Sequence, residues 1–382
     1  MSLGIDAPRV LMVTPRFPPY VGGVETHVRE VAAHLARSGV STHVLTTVPN
    51  GSLAHREELA GIEVRRVRAY PPGRDWYFAP GLIGPILHGP FDLVHVQGIH
   101  TLVAPTAMLA ALAAHRPFVV TFHTGGHRSA LRRRLRGTQW KLLSPLLRRA
   151  AALIAVSEFE RSLFAQAAGI DPARIRVIRN GAGLPEAAAA KVAEDPDMVL
   201  SVGRLERYKG HHQAVAAMPH LLRLRPGARL TIVGDGPERD ALRRQAEELA
   251  VGDRVTIMSI PAGDRDEMAR VVAGAGLVVL LSEYEAHPVA VTEAQALGRR
   301  ILVSDTTGLS EIAAAGLASA VPFDATARDL AAAMDATMSG PRSAAGAVPT
   351  WEACAEEVLD VYRSVLARRA ALSRFTGQSG NR

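Results

Sequence analysis

Short runs of β-branched and other apolar residues recur along the chain, each followed by a segment whose apolar positions repeat at helical spacing. That alternation predicts parallel strands joined by crossover helices. In the first half the strand runs are Arg9–Thr14, Ser41–Thr47, Ile62–Arg68, Asp92–Val96, Phe118–His123, Ala152–Val156 and Ile175–Arg179. In the second half they are Met198–Val202, Arg229–Val233, Arg254–Met258, Leu277–Ser282, Ile301–Ser304 and Ala318–Pro322. About six strands per half predict an α/β protein of two doubly wound, Rossmann-like domains. The break falls in Gly181–Asp197, where GAGLPEAAAAKVAEDPD combines Gly, Pro, charge and an alanine run. The predicted division is residues 1–182, residues 183–350, and a terminal piece 351–382. That piece opens as an amphipathic helix (Trp351, Cys354, Val358, Val361, Tyr362, Leu366) and closes on SRFTGQSGNR, a polar tail predicted to be unstructured.

Composition narrows the class. The 382 residues, 48% of them hydrophobic, suit two folded domains and exclude collagen, coiled coil and disorder. Cys354 is the only cysteine, which excludes an intramolecular disulfide and a CxxC site and suits a reducing compartment. No apolar run approaches the roughly 20 residues of a membrane span, and no signal peptide is read. The formal charge is +7, but no Asp or Glu occurs from Leu93 to Ser157, a stretch with nine bases. The remainder is near neutral, which argues against a nucleic-acid-coating protein and for one basic patch. Lysine is scarce: Lys141, Lys191 and Lys209 stand against 41 arginines.

Four segments carry candidate chemistry. PRFPPYVGGVETHVREVAAHLARSG places Gly22 and Gly23 at a helix start, where backbone and unpaired N–H groups can approach an anion, or where the chain simply turns. SVGRLERYKGHHQAV sets Arg204 and Lys209 five apart after a strand, a fork and a compact charge suited to phosphate oxygens. LTIVGDGPERDAL, with Gly234, resembles half a dinucleotide fingerprint, but Arg239 takes the last glycine position, and a turn with Asp235 as cap and Pro237 at the first helical position explains most of it. LSEYEAHPVAVTEAQALG puts Glu285 in a loop and Glu293 eight residues later in a helix begun by Pro288, so that both can face one cleft and accept hydroxyl pairs of a ribose or hexose.

GGVETH, TFHTGG, AVSEFERSLF, VIRNG, VGRLERYKG, IVGDGPER and E-x7-E-A-x-A-x-G follow in this order across nearly the whole chain. Together they resemble glycosyltransferase family 4, retaining enzymes of GT-B fold. The resemblance implies two Rossmann-like domains facing across a cleft, a nucleotide sugar held mainly by the second, and a last helix returning to the first. Arg204 and Lys209 would hold the leaving diphosphate, with Gly22 and Gly23 closing from the other side and Gly234 close to the nucleotide. Glu293 would bind the ribose, Glu285 the donor sugar near its reacting face, and His123 would lie beside sugar and acceptor. The stretch Met258–Ile260 would meet the base, and His287 and Val289 would border the donor. No cofactor beyond the co-substrate and no metal is implied. The two D-x-D matches, Asp195-Pro-Asp197 in the linker and Asp264-Arg-Asp266 at a helix start, read as chance.

Two departures stand out. The family's Gly-Phe-Gly after the first glutamate is here Ala286-His287-Pro288, and Pro288 has no N–H to give. Either the donor differs from glucose at its 3- or 4-position, or His287 supplies a side-chain donor, or the proline only stiffens the loop. The usual N-G-V-D is Asn180-Gly181-Ala182-Gly183. The basic stretch 127–150 is either a solvated helix or a contact for anionic lipid or a phosphorylated acceptor. The expected protein is a cytoplasmic glycosyltransferase, peripheral on the membrane's inner face if that contact exists. It would transfer a hexose-type sugar from a UDP- or GDP-linked donor to a glycan, lipid or small molecule. A non-catalytic nucleotide-sugar sensor and a Rossmann dehydrogenase are the alternatives.

Overall fold

A computed structural model describes residues 8–20, 22–48, 53–71, 78–123, 130–342 and 348–378. The first sheet contains β1 (Arg9–Thr14), β2 (Ser41–Val48), β3 (Arg56–Leu59), β4 (Ile62–Arg68), β5 (Leu93–Gln97), β6 (Phe118–Thr121), β7 (Ala152–Ala155) and β8 (Ile175–Val177). Its order is β3-β4-β2-β1-β5-β6-β7-β8, parallel except for β3 against β4. The second contains β9 (Asp195–Val202), β10 (Arg229–Val233), β11 (Val255–Met258), β12 (Ala275–Leu280), β13 (Ile301–Ser304) and β14 (Ser319–Val321), all parallel in the order β11-β10-β9-β12-β13-β14. Among the described residues the sheets therefore hold eight and six strands rather than about six each. The unforeseen β3, REEL, is exposed and charged, and it is held by pairing with β4 instead of by burial. The inner strands β5, β6, β12 and β13 are buried at every position, as strands covered on both faces must be.

Helices α1 (Gly23–Arg37), α2 (Ile83–His88), α3 (Val103–Ala113), α4 (Ala130–Leu147) and α5 (Glu158–Ala168) accompany the first sheet. A short α6 (Glu186–Ala189) leads into the second, which carries α7 (His211–Leu224), α8 (Arg239–Glu248), α9 (Arg265–Gly274), α10 (Val289–Ala296), α11 (Thr307–Ala314) and α12 (Ala327–Ser339). The last helix, α13 (Trp351–Gln378), returns to the first sheet. Its Trp351, Cys354, Val358, Val361, Tyr362 and Val365 share one apolar cluster with Val10 and Met12 of β1 and Val28 and Val31 of α1. The Tyr362 hydroxyl lies 2.6 Å from Nδ1 of His95 on β5. Burial pushes the Cys354 thiol up to about 12, leaving an inert sulfur. The helix continues through Gln378, so most of the segment expected to be an unstructured tail is helical; amphipathic packing upstream propagates the helix past the last buried residues.

The two chain passages between the sheets run side by side, with Ala182 N–H donating to the Pro349 carbonyl at 2.8 Å. Strand order reverses direction at β1/β5 in the first sheet and at β9/β12 in the second. Loops leaving the carboxyl ends at such reversals form a crevice, which is where an open α/β sheet binds its ligand.

Candidate functional site

On the second domain, three loops meet at the reversal between β9 and β12. Residues 203–210 follow β9, residues 234–238 follow β10, and residues 281–288 follow β12. Glycines permit the approach: a Cβ on Gly234 would strike the Gly203 carbonyl, and one on Gly210 would strike that of Leu281. Gly210 has φ +75°, which lets the chain turn from a 3-10 turn at Arg207–Lys209 directly into α7. This brings Lys209 Nζ to 2.5 Å from Glu285 Oε1, an oxygen that also accepts from Ser282 Oγ at 2.8 Å. Burial pulls the Lys209 ammonium's pKa down, but Glu285 and Tyr208 outweigh it and the net shift is upward, so the charge is secure. The Tyr208 ring stacks on Tyr284 with centroids 4.5 Å apart, and the Tyr208 carbonyl accepts from Glu283 N–H at 2.8 Å.

Arg204 spreads its guanidinium over Tyr208 Oη (2.9 Å) and Glu206 Oε1 (2.8 Å). Burial lowers its proton affinity, but Tyr208, Glu206 and Glu25 more than restore it. His211, buried and held by Ser201 Oγ at 2.8 Å, has a pKa lowered to about 4 by that burial; its Nε2 lies 3.2 Å from the Arg204 carbonyl. Two cations thus stand at the edge of one sheet with carboxylates as their resident partners, an arrangement that can receive the oxygens of a diphosphate.

Glu293 is separate from this cluster. It sits in α10, buried, and its carboxylate is taken by Arg265 of α9, which also reaches the Gly183 carbonyl at 3.2 Å. Burial pushes its pKa up and Arg265 opposes the rise. Gly234 N–H and the Met258 carbonyl bond each other at 2.9 Å, while Arg239 closes the turn through the Gly234 carbonyl (2.8 Å) and Ser259 Oγ (2.7 Å). The cap of α8 is Glu238 rather than Asp235, because the turn runs two residues longer than the sequence pattern suggests. Likewise Pro288 is the N-cap of α10, whose first helical residue is Val289. Ile260 borders a pocket between the domains, lined also by Tyr20, Arg29, Pro261 and Arg265, with about 40 Å³ of room.

The facing wall comes from the first domain. Gly23 lies in contact range of Val289, which packs within the first domain's apolar cluster. The half-buried Glu25 of α1 has its pKa raised by burial, an effect that Arg204 and Arg16 only partly offset. Deeper in, His27 Nδ1 lies 2.9 Å from Asn180 Oδ1, and the Asn180 amide donates to the His287 carbonyl at 2.6 Å, joining α1, the segment after β8 and the loop after β12. His123, at φ +54°, stacks edge-on against His27 with centroids 4.5 Å apart, and its Nε2 lies 2.8 Å from Gln97 Oε1. A non-glycine residue in that conformation is strained, as side chains at functional sites often are. Burial lowers the pKa of His123 well below the ordinary value, that of His27 to about 4 and that of His95 to about 3, so all three are neutral. The His287 ring lies among Arg179, Glu311 and His27, and burial lowers its pKa to about 4. Among the described residues, His27 Nε2, His287 Nδ1 and Trp351 Nε1 are buried without a hydrogen-bond partner.

Sequence reasoning named Arg204, Lys209 and Glu285 by their places after strands and His123 from the family resemblance; it did not name Glu25, Asn180, Thr307 or Glu311. Glu25 stands in the GGVETH segment already singled out, and Thr307 and Glu311 stand in TTGLSE directly after β13. Of the D-x-D matches, Asp264 caps α9 through Glu267 N–H at 3.0 Å. Asp195 begins β9 and pairs with Arg229, so it belongs to the sheet rather than to the linker. In the basic stretch Lys141 is exposed, and Arg148 donates to the Ala168 and Gly169 carbonyls at 3.2 Å. Arg128 and the side chains of Arg132, Arg133, Arg134 and Arg136 lie outside the described residues. No described helix is long and apolar enough to cross a membrane.

Comparison with known proteins supplies the context of this site. The model described as Glycosyltransferase Family 4 matches residues 21–184, and that described as Glycosyl transferases group 1 matches residues 186–348. The chain is 31% identical over 373 residues to a glycogen synthase of Mycobacterium tuberculosis, spanning 88% of this chain and 87% of that protein. It is 29% identical to a GDP-mannose:cellobiosyl-diphosphopolyprenol alpha-mannosyltransferase of Xanthomonas oryzae, over 78% of each chain. Among solved structures it resembles sucrose-phosphate synthase of Thermosynechococcus elongatus, with TM-score 0.71, 21% identity and coverage of 94% and 100%. Anabaena HepE, solved with UDP and glucose, matches with TM-score 0.66 and 20% identity over 96% and 99%.

Proposed function

Because the chain belongs to glycosyltransferase family 4 and is a glycosyltransferase of the GT-B type, we propose that it transfers a hexose-type sugar from a UDP- or GDP-linked donor, with retention and without a metal. The acceptor on this reading is a glycan, a lipid or a small molecule. The observation that carries it is the junction of Arg204, Lys209 and Glu285 at the strand reversal of the second sheet, opposite Gly22, Gly23 and Glu25. The two cations offset the charge of the leaving diphosphate, which is electrostatic preorganisation. Glu285 sits where it can hold donor hydroxyls once the diphosphate draws Lys209 away, and Glu293 does the same for the ribose when Arg265 releases it. The C1–phosphate oxygen bond breaks, the C1–acceptor oxygen bond forms on the same face, and the acceptor's proton passes to the leaving phosphate. The neutral His123 borders that exchange as an uncharged hydrogen-bonding group.

UDP bound to HepE and GDP-mannose in the name of the Xanthomonas protein support both nucleotides as candidates. Thermal shift with UDP, GDP, ADP and dTDP, followed by the matching sugar donors, selects between them. Failure of every nucleotide to raise the melting temperature refutes the donor site.

A cytoplasmic enzyme touching the inner membrane face is the cellular counterpart of this reading. It is supported by the exposed Lys141 and Leu142 of α4, the latter 75% exposed, and by the exposed Leu102 and Leu109 at α3, a helix that packs against α4. Cosedimentation with anionic liposomes at low salt and its loss at high salt are expected; equal, negligible binding at both refutes the contact.

A further inference from the structure

The loop that carries Glu285 is gripped from one side by the segment following β13. Ser304 Oγ and Thr306 Oγ1 both donate to the Ser282 carbonyl, at 2.5 and 2.9 Å. Thr307 then engages both backbone polar groups of Glu285. Its Oγ1 accepts from the Glu285 N–H at 2.8 Å and donates to the Glu285 carbonyl at 2.9 Å, and Gly308 N–H adds a second bond to that carbonyl at 3.0 Å. The approach is close enough that a Cβ on Gly308 would strike the carbonyl of Ala286.

Thr307 has φ +45°. A β-branched residue is strained in the left-handed region, which glycine occupies freely. Glycine at this position would relieve the backbone but would have no hydroxyl to give Glu285. Such strain persists only where the surroundings enforce it, and it concentrates where geometry matters for function. The same helix is rooted in the other domain: one turn on, Glu311 Oε2 accepts from the N–H groups of Glu158 (2.9 Å) and Phe159 (3.2 Å) at the start of α5, and Oε1 accepts from Arg179 at 2.8 Å. A single two-turn helix therefore clasps the first domain with one residue and the Glu285 backbone with another.

We propose that Thr307 is a positioning residue for Glu285, its hydroxyl fixing that backbone so that the carboxylate meets Lys209 and the donor sugar in one geometry. The inference rests on the reading of Glu285 as a donor-sugar contact. Its test compares Thr307→Ser, Thr307→Gly, Glu285→Gln and the double variant Thr307→Gly/Glu285→Gln, with UDP-glucose or GDP-mannose, whichever the wild type turns over.

In Thr307→Gly the melting temperature is expected to hold or rise, nucleotide affinity to stay within about twofold, and kcat to fall about tenfold, the loss of one hydrogen bond's worth of positioning. Thr307→Ser, which keeps the hydroxyl, is expected within about threefold of wild type, and Thr307→Gly is expected to cost nothing further once Glu285 is already Gln. Wild-type kcat in Thr307→Gly beside an inactive Glu285→Gln overturns the role of Thr307 and leaves that of Glu285 standing. Wild-type kcat in Glu285→Gln removes the premise itself. An early-melting Thr307→Gly whose loss Thr307→Ser shares overturns the proposal in favour of a purely structural threonine.

Discussion

Replacing Lys209 by Met tests whether the Lys209–Glu285 pair is a structural element of the empty enzyme as well as a feature of its donor site. The side chains are 15% and 12% exposed and 2.5 Å apart, so the pair is almost wholly withdrawn from water. Removing one partner of a buried pair costs about 3–5 kcal/mol, chiefly because the other charge is stranded. Here Ser282 Oγ still donates to Glu285 at 2.8 Å and a little solvent remains, which lowers the expected cost to about 2–3 kcal/mol. At about 2–4 °C per kcal/mol for a domain of this size, the second domain should melt about 5–10 °C earlier.

The double variant Lys209→Met/Glu285→Gln removes the stranded charge and is expected to recover most of that loss, because Gln still accepts from Ser282. The pKa of Lys209 is raised in the folded state, so its stabilisation is complete below the unfolded lysine value and is lost only as pH rises through the folded one. The part of the difference that comes from the titration of Lys209 itself should accordingly be flat between about pH 6 and 9, well below the ordinary lysine pKa. Scanning calorimetry across that range measures both. A Lys209→Met protein melting with the wild type, or a double variant no better than the single, refutes the reasoning.

Three further outcomes follow from the same geometry. Glu25 binds its proton more tightly when folded, so wild-type stability falls as pH rises from the ordinary glutamate range through the folded value; Glu25→Gln should be at least as stable at pH 7.5 and bind UDP more tightly by calorimetry, whereas weaker binding would make Glu25 a ligand. Glu311→Ala frees the start of α5 and Arg179, and by weakening the closed state it should lower nucleotide affinity about tenfold and enlarge the scattering radius; unchanged scattering and affinity together count against a domain clasp. Gly210→Ala combines a left-handed φ of +75° with a clash against the Leu281 carbonyl and should lose more than about 2 kcal/mol in urea unfolding; near-wild-type stability would mean the loops can part.

The strands were legible because inner parallel strands are buried on both faces and write themselves as apolar runs; β3 was not, because its stability lies in pairing with β4. Arg204, Lys209 and Glu285 were legible because they stand where strands end. What surrounds them was not. Asn180 joins His27 to His287 across 153 and 107 residues of sequence, and no local pattern announces such a bridge. Glu293 reads as an open carboxylate in sequence, yet Arg265, from a different helix, occupies it. The basic character of Lys209 could be foreseen, but its resting partner depended on three loops converging, two of them glycine-bearing.

The return of α13 has a consequence for how the protein is made. Val10, Met12 and Val28 complete their apolar cluster with Trp351, Val358 and Tyr362, which the ribosome makes long after them. At about 5–20 residues per second, the roughly 320 residues between Val28 and Trp351 keep that seam open for about 16–64 seconds. Meanwhile the second domain, continuous in sequence, has every segment of its own sheet available. The half of the molecule that starts first is thus finished last, and it must wait with part of its core uncovered.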